Sequence, residues 1–400
     1  MKIIDMHCDT IGSLFALKER GEAQGQSLRR NSGHVDLTRL RESHYLIQNF
    51  AMFVPLSECD DPWEQVCAMY RYYQEELERN QDILAPVLCY PDIARNEAAG
   101  KVSSLLTVEE GGVCRGEVEK LRELYRMGVR MVTLTWNFDN EIGHPNFDSG
   151  LQEKMETAMK AWKAREEGTA QQGQQGIGQQ HTVQQGQLNT IQQEQLNTVQ
   201  QGQLYRTEWE EARRAAQAAY DVFMHTPNLT GGLTEKGKEL VAEMESLGII
   251  PDVSHLSDAG FIDVLSVTKK PFVASHSNAR AVCPNVRNMT DDMIAKLSER
   301  GGVMGLNFCP DFLEEKPLGE KNPGTIAAVV RHAKHIVNIG GIDVLGLGSD
   351  FDGIPTHGEL PGAQSMGLLW EALHEAGFSE GELDKIFYGN VLRVYKDTLK

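Results

Sequence analysis

The chain has no apolar run long enough to span a bilayer and no basic-then-apolar leader before its first apolar stretch, so a soluble, cytoplasmic protein is expected. Its seven cysteines include no C-x-x-C and no paired spacing, which argues against a disulfide framework and fits reduced thiols. Cys8, Cys89 and Cys114 stand among apolar neighbours and read as core filler. Basic residues are short as well: 39 Lys and Arg face 57 Asp and Glu, a net charge of −18. That deficit excludes nucleic acid and an anionic membrane surface as default partners. Four hundred residues suffice for one large barrel domain.

What is present is a recurring rhythm. Apolar runs at Ile3–Met6, Tyr45–Val54, Lys101–Val108 and Arg130–Asn137 alternate with helix-like stretches. The rhythm resumes after an interruption with Gly248–Ser254, Pro271–Ser275, Gly302–Phe308 and Ile342–Ser349. Thr234 is a candidate cap for the helix that restarts it. Eight strands, each followed by a helix, predict an α/β fold of the (β/α)8 TIM-barrel type, whose active site lies at the carboxyl ends of the strands.

The interruption is an inserted arm at about 150–228 in an otherwise single domain spanning 1–400. Its flanks, Leu151–Glu167 and Glu208–His225, are charged and helix-like. Between them, residues 171–203 hold 15 Gln and one charged residue, Glu194, with an eight-residue repeat starting at Thr182, Thr190 and Thr198. So little apolar surface offers nothing to offset ordering entropy, so this is a low-complexity tip. Amides neither ionise nor bind metals well, and the expected role is a tolerated surface insertion, the alternative being flanking helices that cover the barrel mouth or a neighbouring subunit.

The chemistry lies at the strand ends. His7 and Asp9 follow strand one, Glu110 strand three, His255 strand five, His276 strand six and Asp350 strand eight. Three imidazoles and three carboxylates at one rim need a counter-charge, which two divalent cations sharing one carboxylate would supply. Singly, each has a plainer reading as a cap or turn residue; together they point to a metal centre.

In order, His7-x-Asp9, Glu110-Gly-Gly, Asp252-Val-Ser-His255, Ser275-His276-Ser277-Asn278 and Gly348-Ser-Asp350-Phe-Asp-Gly353 resemble the renal (membrane) dipeptidase family of zinc peptidases. The likeness runs from residue 1 to about 145 and from about 229 to the end. It implies a metal-dependent hydrolase barrel that cleaves dipeptides with two zinc ions and a bridging hydroxide, and a homodimer. Carried over, His7 and Asp9 hold one zinc, His255 and His276 the other, and Glu110 bridges them. Asp350 is then the acid–base beside the water, and Arg287 binds the substrate carboxylate. Glu110 is preferred to Glu109 because it directly precedes Gly-Gly, and strand alternation forbids both pointing inward. Animal relatives carry a His where this chain has Trp136, followed by Asn137; these two become candidate substrate contacts, with His144 a possible substitute. The same ligand set also takes Mn or Co. Two other readings stand beside the dipeptidase: a related enzyme acting on another small amide or a lactone, and a catalytically silent metal-binding scaffold.

Overall fold

The computed structural model describes residues 1–175 and 188–400. Among these described residues there are nine strands: β1 Ile3–Asp5, β2 Tyr45–Phe53, β3 Leu84–Pro86, β4 Val102–Glu109, β5 Val129–Thr133, β6 Ile250–Asp252, β7 Val273–Ala274, β8 Val303–Leu306 and β9 Leu345–Leu347. Every pairing between them is parallel. β1 pairs with β2 and β9, β2 with β4, and the rest follow in chain order, so eight strands close into a barrel surrounded by helices. The expected (β/α)8 architecture is the one observed. β3 is an addition to it: three residues ending in Pro86 lie against the start of β4, at Leu84↔Val102. So short a strand leaves no periodicity to read.

Side chains from seven strands meet in one apolar cluster: Ile4, Ile47, Leu105, Met131, Ile250, Val273 and Val303. Residues of so many strands can touch one another only inside the ring. Val391, Val394 and Tyr395 of the helix Asn390–Thr398 belong to the same cluster. Leu106 and Val108 belong instead to the larger cluster that includes buried residues of the surrounding helices. Along β4, therefore, Leu105, Thr107 and Glu109 face inward. At 25 cal/mol per Å², each fully buried aliphatic side chain here contributes about 1.5–3 kcal/mol before entropy.

Local chemistry sets the ends of the elements. Thr234 caps the helix Glu235–Leu247 as expected, its hydroxyl accepting from the Gly237 N–H. Gly348 lies so close to the end of β7 that a Cβ there would fall on the Ser275 carbonyl oxygen. His332, in the helix Ile326–Gly340, accepts from the Ala279 N–H through Nδ1 at 3.1 Å and donates from Nε2 to the Leu313 carbonyl at 3.0 Å. Burial lowers its pKa to about 4. The unfolded chain takes up this proton near pH 6.5 and the folded one does not, so stability falls as pH drops from 6.5 towards 4. The expected loss is about 3 kcal/mol from this group alone. Denaturant titrations at pH 7 and pH 4.5 should show a smaller drop for His332→Gln than for the wild type.

The chain divides into two compact units, one of residues 1–147, 227–316 and 320–400, the other of 148–226 and 317–319. The second unit is built on two helices, Ser149–Gln175 and Leu188–His225, which pack together. Arg165 pairs with Glu208 at 2.6 Å, and the Leu318 N–H donates to Gln217 at 2.6 Å. The helices run further into the Gln-rich tract than the charged flanks alone suggest. His181 and most of the first repeat copy, within the expected low-complexity tip, lie outside the described residues. Among the described residues no helix is long and apolar enough to cross a membrane.

Candidate metal centre

The carboxyl ends of β1, β4, β6, β7 and β9 bring six ionisable side chains together. His7 Nε2 lies 3.3 Å from Asp9 Oδ2, 3.3 Å from Glu109 Oε2 and 3.9 Å from Asp350 Oδ1. Glu109 Oε1 lies 3.2 Å from His255 Nε2 and 3.5 Å from His276 Nε2. Ligand atoms of His7, Glu109 and His276 lie close enough together to share one ion, as do those of His7, Asp9 and Asp350. All are buried. His255 and Asp350 also have positive φ, at 68° and 63°, a conformation that a side chain disfavours and that concentrates at functional sites.

The imidazole tautomers follow from their partners. Ser275 Oγ donates to Asp252 Oδ2 at 2.5 Å, so it must accept from His276 Nδ1 at 2.7 Å. His255 Nδ1 donates to Asn137 Oδ1 at 2.8 Å. Both rings therefore present Nε2 lone pairs, and these face each other across 3.0 Å. Two acceptors at that separation repel unless a cation stands between or beside them. Burial, together with the Arg287 charge, lowers His255 to about 4; burial and the charge on His7 put His276 well below its ordinary value. Neutral imidazoles are the form that binds metal.

The carboxylates make the same demand. Burial and the neighbouring Glu109 raise Asp9 to about 6, and burial, with Asp9 and Glu109 adding to it, raises Asp350 to about 7. For Glu109, burial is outweighed by the charge on the neighbouring His7, and the carboxyl stays well below its usual range. Burial opposes a charge on His7, yet Glu109 and Asp9 hold its pKa well above normal. The His7 proton and the nearby Arg287 guanidinium thus face three carboxylates, and among the described residues Asp9 Oδ1 has no hydrogen-bond partner. Nitrogen and oxygen donors with an unbalanced negative charge fit divalent cations of the zinc type.

One assignment is corrected. Glu110 does not reach this cluster: its backbone turns left-handed at φ 94°, and its carboxylate accepts from the N–H groups of Gly112 at 2.7 Å and Trp136 at 2.9 Å and from the Asn140 amide. Glu109 occupies the place expected of Glu110, because the inward series Leu105, Thr107, Glu109 ends on it. The alternation of outward Leu106 and Val108 was the signal.

Around the centre lies a cavity of about 460 Å³ lined by Asp9, Glu109, Trp136, Asn137, His255, Arg287 and Asp350. Phe53, Phe147, Phe312 and Ile354 form its apolar wall. Trp136 packs on Phe53 with ring centroids 4.8 Å apart. Arg287 is buried; its Nη2 donates to the His276 carbonyl at 3.3 Å and its guanidinium sits 5.2 Å from the Phe312 ring centre, while among the described residues Nε and Nη1 have no partner. Asn137 both lines the cavity and orients His255. His144 is not brought to the centre and pairs with Asp139 at 2.7 Å. Asn307, at the end of β8, was missed: it donates to Asp350 Oδ2 at 2.8 Å, and the strand-end rule that found the others points to it too.

The membrane dipeptidase family, peptidase family M19, matches residues 1–178 and 188–400. An uncharacterized protein in the pqqA 5′ region of Klebsiella pneumoniae is 36% identical over 190 residues, 47% of this chain and 69% of that protein. The dipeptidase tcpJ of Claviceps purpurea is 37% identical over 167 residues, 42% of this chain and 38% of tcpJ. In fold, the chain is similar to a metallopeptidase from Rhodobacter sphaeroides, solved with a phosphinate mimic of the dipeptide L-Ala-D-Ala, with a TM-score of 0.72, 23% identity, and coverage of 100% of this chain and 99% of that one. With the family match extending over nearly every residue and a buried His, Glu and Asp cluster at the barrel mouth, the chain belongs to the membrane dipeptidase family of metallopeptidases, peptidase family M19.

Proposed function

We propose that this chain hydrolyses the peptide bond of dipeptides at a centre of two divalent cations, zinc by donor preference, with Mn or Co as substitutes. The observation that carries the reading is the pair of neutral imidazoles, His255 and His276, facing each other by their lone pairs at 3.0 Å beside the Glu109 carboxylate. His7 and Asp9 would hold one ion, His255 and His276 the other, with Glu109 between the two sets. Bound there, such ions polarise a carbonyl and acidify a water near neutral pH.

The chain's own residues do the rest. Arg287 offers N–H groups that have no partner among the described residues, at Nε and Nη1, to the substrate's terminal carboxylate as charge-assisted donors. Phe53, Trp136 and Phe312 exclude water from the reacting bond. Asn307 holds Asp350 Oδ2, leaving Oδ1 to take a proton from the attacking water and return it to the leaving amine nitrogen. The dipeptide mimic bound by the Rhodobacter sphaeroides protein supports a ligand of this length. Trp136, which cannot become a cation, favours a second reading in which the same centre acts on another small amide or a lactone.

Asp350→Asn should lower kcat on a dipeptide about 10²–10⁴-fold with metal content unchanged; undiminished turnover would remove Asp350 from the mechanism. A chelator should abolish activity. Returning zinc at about 100 times its dissociation constant should stabilise the protein by about 2.7 kcal/mol, seen as a rise of a few degrees in Tm. A zinc-indifferent melting curve and no peptide turnover would together defeat the reading.

A further inference from the structure

Glu110 is a carboxylate that the chemistry above leaves without a task. It is fully buried, directly beside Glu109, and its backbone adopts a left-handed conformation that a side chain disfavours. Capping the short turn Gly111–Cys114 needs only one oxygen, which accepts from the Gly112 N–H. Its second oxygen reaches across to the Trp136 N–H at 2.9 Å, in the loop that follows β5. The Asn140 amide donates to the first oxygen and, at 3.0 Å, to the Leu134 carbonyl. Asn140 Oδ1 in turn accepts from the N–H groups of Ile142 at 2.7 Å and Gly143 at 3.0 Å. Residues 134–143 are thus folded around Asn140 and tied to Glu110 at two points. A Cβ at Gly112 would press on Glu110 Oε1, Leu56 and the Asn140 Cβ, so the close approach requires glycine there.

Trp136 makes the first of those two ties, and Asn137 stands between it and the second. Asn137 Oδ1 accepts the His255 Nδ1 proton, and the Trp136 ring lies 6.0 Å from the His255 ring. We infer that Glu110 is a positioning residue: by pinning the 134–143 loop it fixes Asn137 and thereby keeps the His255 proton on Nδ1 and its lone pair on Nε2, facing the centre. The inference rests on the reading of His255 as a metal ligand. Partners that fix the tautomer of a ligating imidazole commonly change metal affinity 10–100-fold when lost.

Glu110→Gln is the sharp test, since it keeps the volume and turns one acceptor into a donor facing an N–H. Zinc dissociation constants from chelator competition, ¹⁵N imidazole shifts of the metal-free protein, and kcat and KM on a dipeptide would be measured together. Expected are a 10–100-fold weaker hold on one of the two zinc ions, a His255 signal moved away from the pure Nδ1–H form, and kcat reduced more than KM is raised. Asn137→Ala should reproduce the affinity loss, and adding Glu110→Gln to it should cause no further loss. If Glu110→Gln fails to fold, Asn140→Ala, which loosens the same loop, should show the same pattern in smaller measure. Unchanged zinc affinity and an unchanged His255 tautomer in the folded variant, or losses that add in the double variant, would overturn the inference. A wild-type protein that binds no stoichiometric zinc would instead sink the proposed centre, and this inference with it.

Discussion

Glu109→Gln is expected to lower kcat/KM on a dipeptide by about 10³-fold or more, a loss near 4 kcal/mol of transition-state stabilisation, and to reduce the zinc content. Among the described residues, only this carboxylate lies within 3.5 Å of all three imidazoles: Oε2 faces His7 and Oε1 faces His255 and His276. An amide in its place removes the negative charge and points an NH2 or a weaker oxygen at an Nε2 lone pair. The contrast with its neighbour is the diagnostic part. Glu110→Gln acts only through a loop and should cost 10–100-fold. Metal analysis of the two purified variants checks this directly: the deficit should be severe for position 109 and partial for position 110. The reverse order would return the shared ligand to the residue that directly precedes Gly-Gly.

That contrast also shows how far the sequence could be read. The barrel was legible because strand and helix alternate along the chain, and the rim was legible because His and Asp residues recur at the strand ends. His7 and Asp9 do meet, 3.3 Å apart, just beyond the end of β1 at Asp5. The ladder of β5 likewise stops at Thr133, so Trp136 and Asn137 lie in a loop whose path no periodicity describes. What fixes that path is a set of side-chain bonds from Glu110 and Asn140, far apart in sequence until β4 and β5 bring them together. The choice between Glu109 and Glu110 turned on a local motif, when the longer alternation through Leu105, Thr107 and Glu109 held the answer. β3 left no such trace in its three residues.

Arg287→Met should raise KM for free dipeptides about 10²–10³-fold while kcat falls far less, because a charge pair formed in a buried site is worth about 2–5 kcal/mol. The guanidinium is buried; among the described residues Nε and Nη1 have no partner, and Nη2 donates to the His276 carbonyl. Burial lowers its pKa, with Asp350 and Glu109 acting against the shift. Such a group costs stability until a carboxylate arrives. The metal-loaded Arg287→Met protein should therefore melt no lower than the wild type, and the His276 carbonyl keeps the Asn307 amide at 3.3 Å as a donor. The two effects separate a substrate clamp from a structural arginine: a clamp raises KM and spares Tm, whereas a structural arginine lowers Tm and leaves KM alone. A dipeptide amide, which lacks the terminal carboxylate, supplies the internal control. The wild type should discriminate against it by about the same factor that the substitution costs, and the variant should treat amide and acid nearly alike. A variant that keeps the preference for the free acid would show that another cation reads the substrate's end, and the cavity wall around Phe312 would have to be assigned afresh.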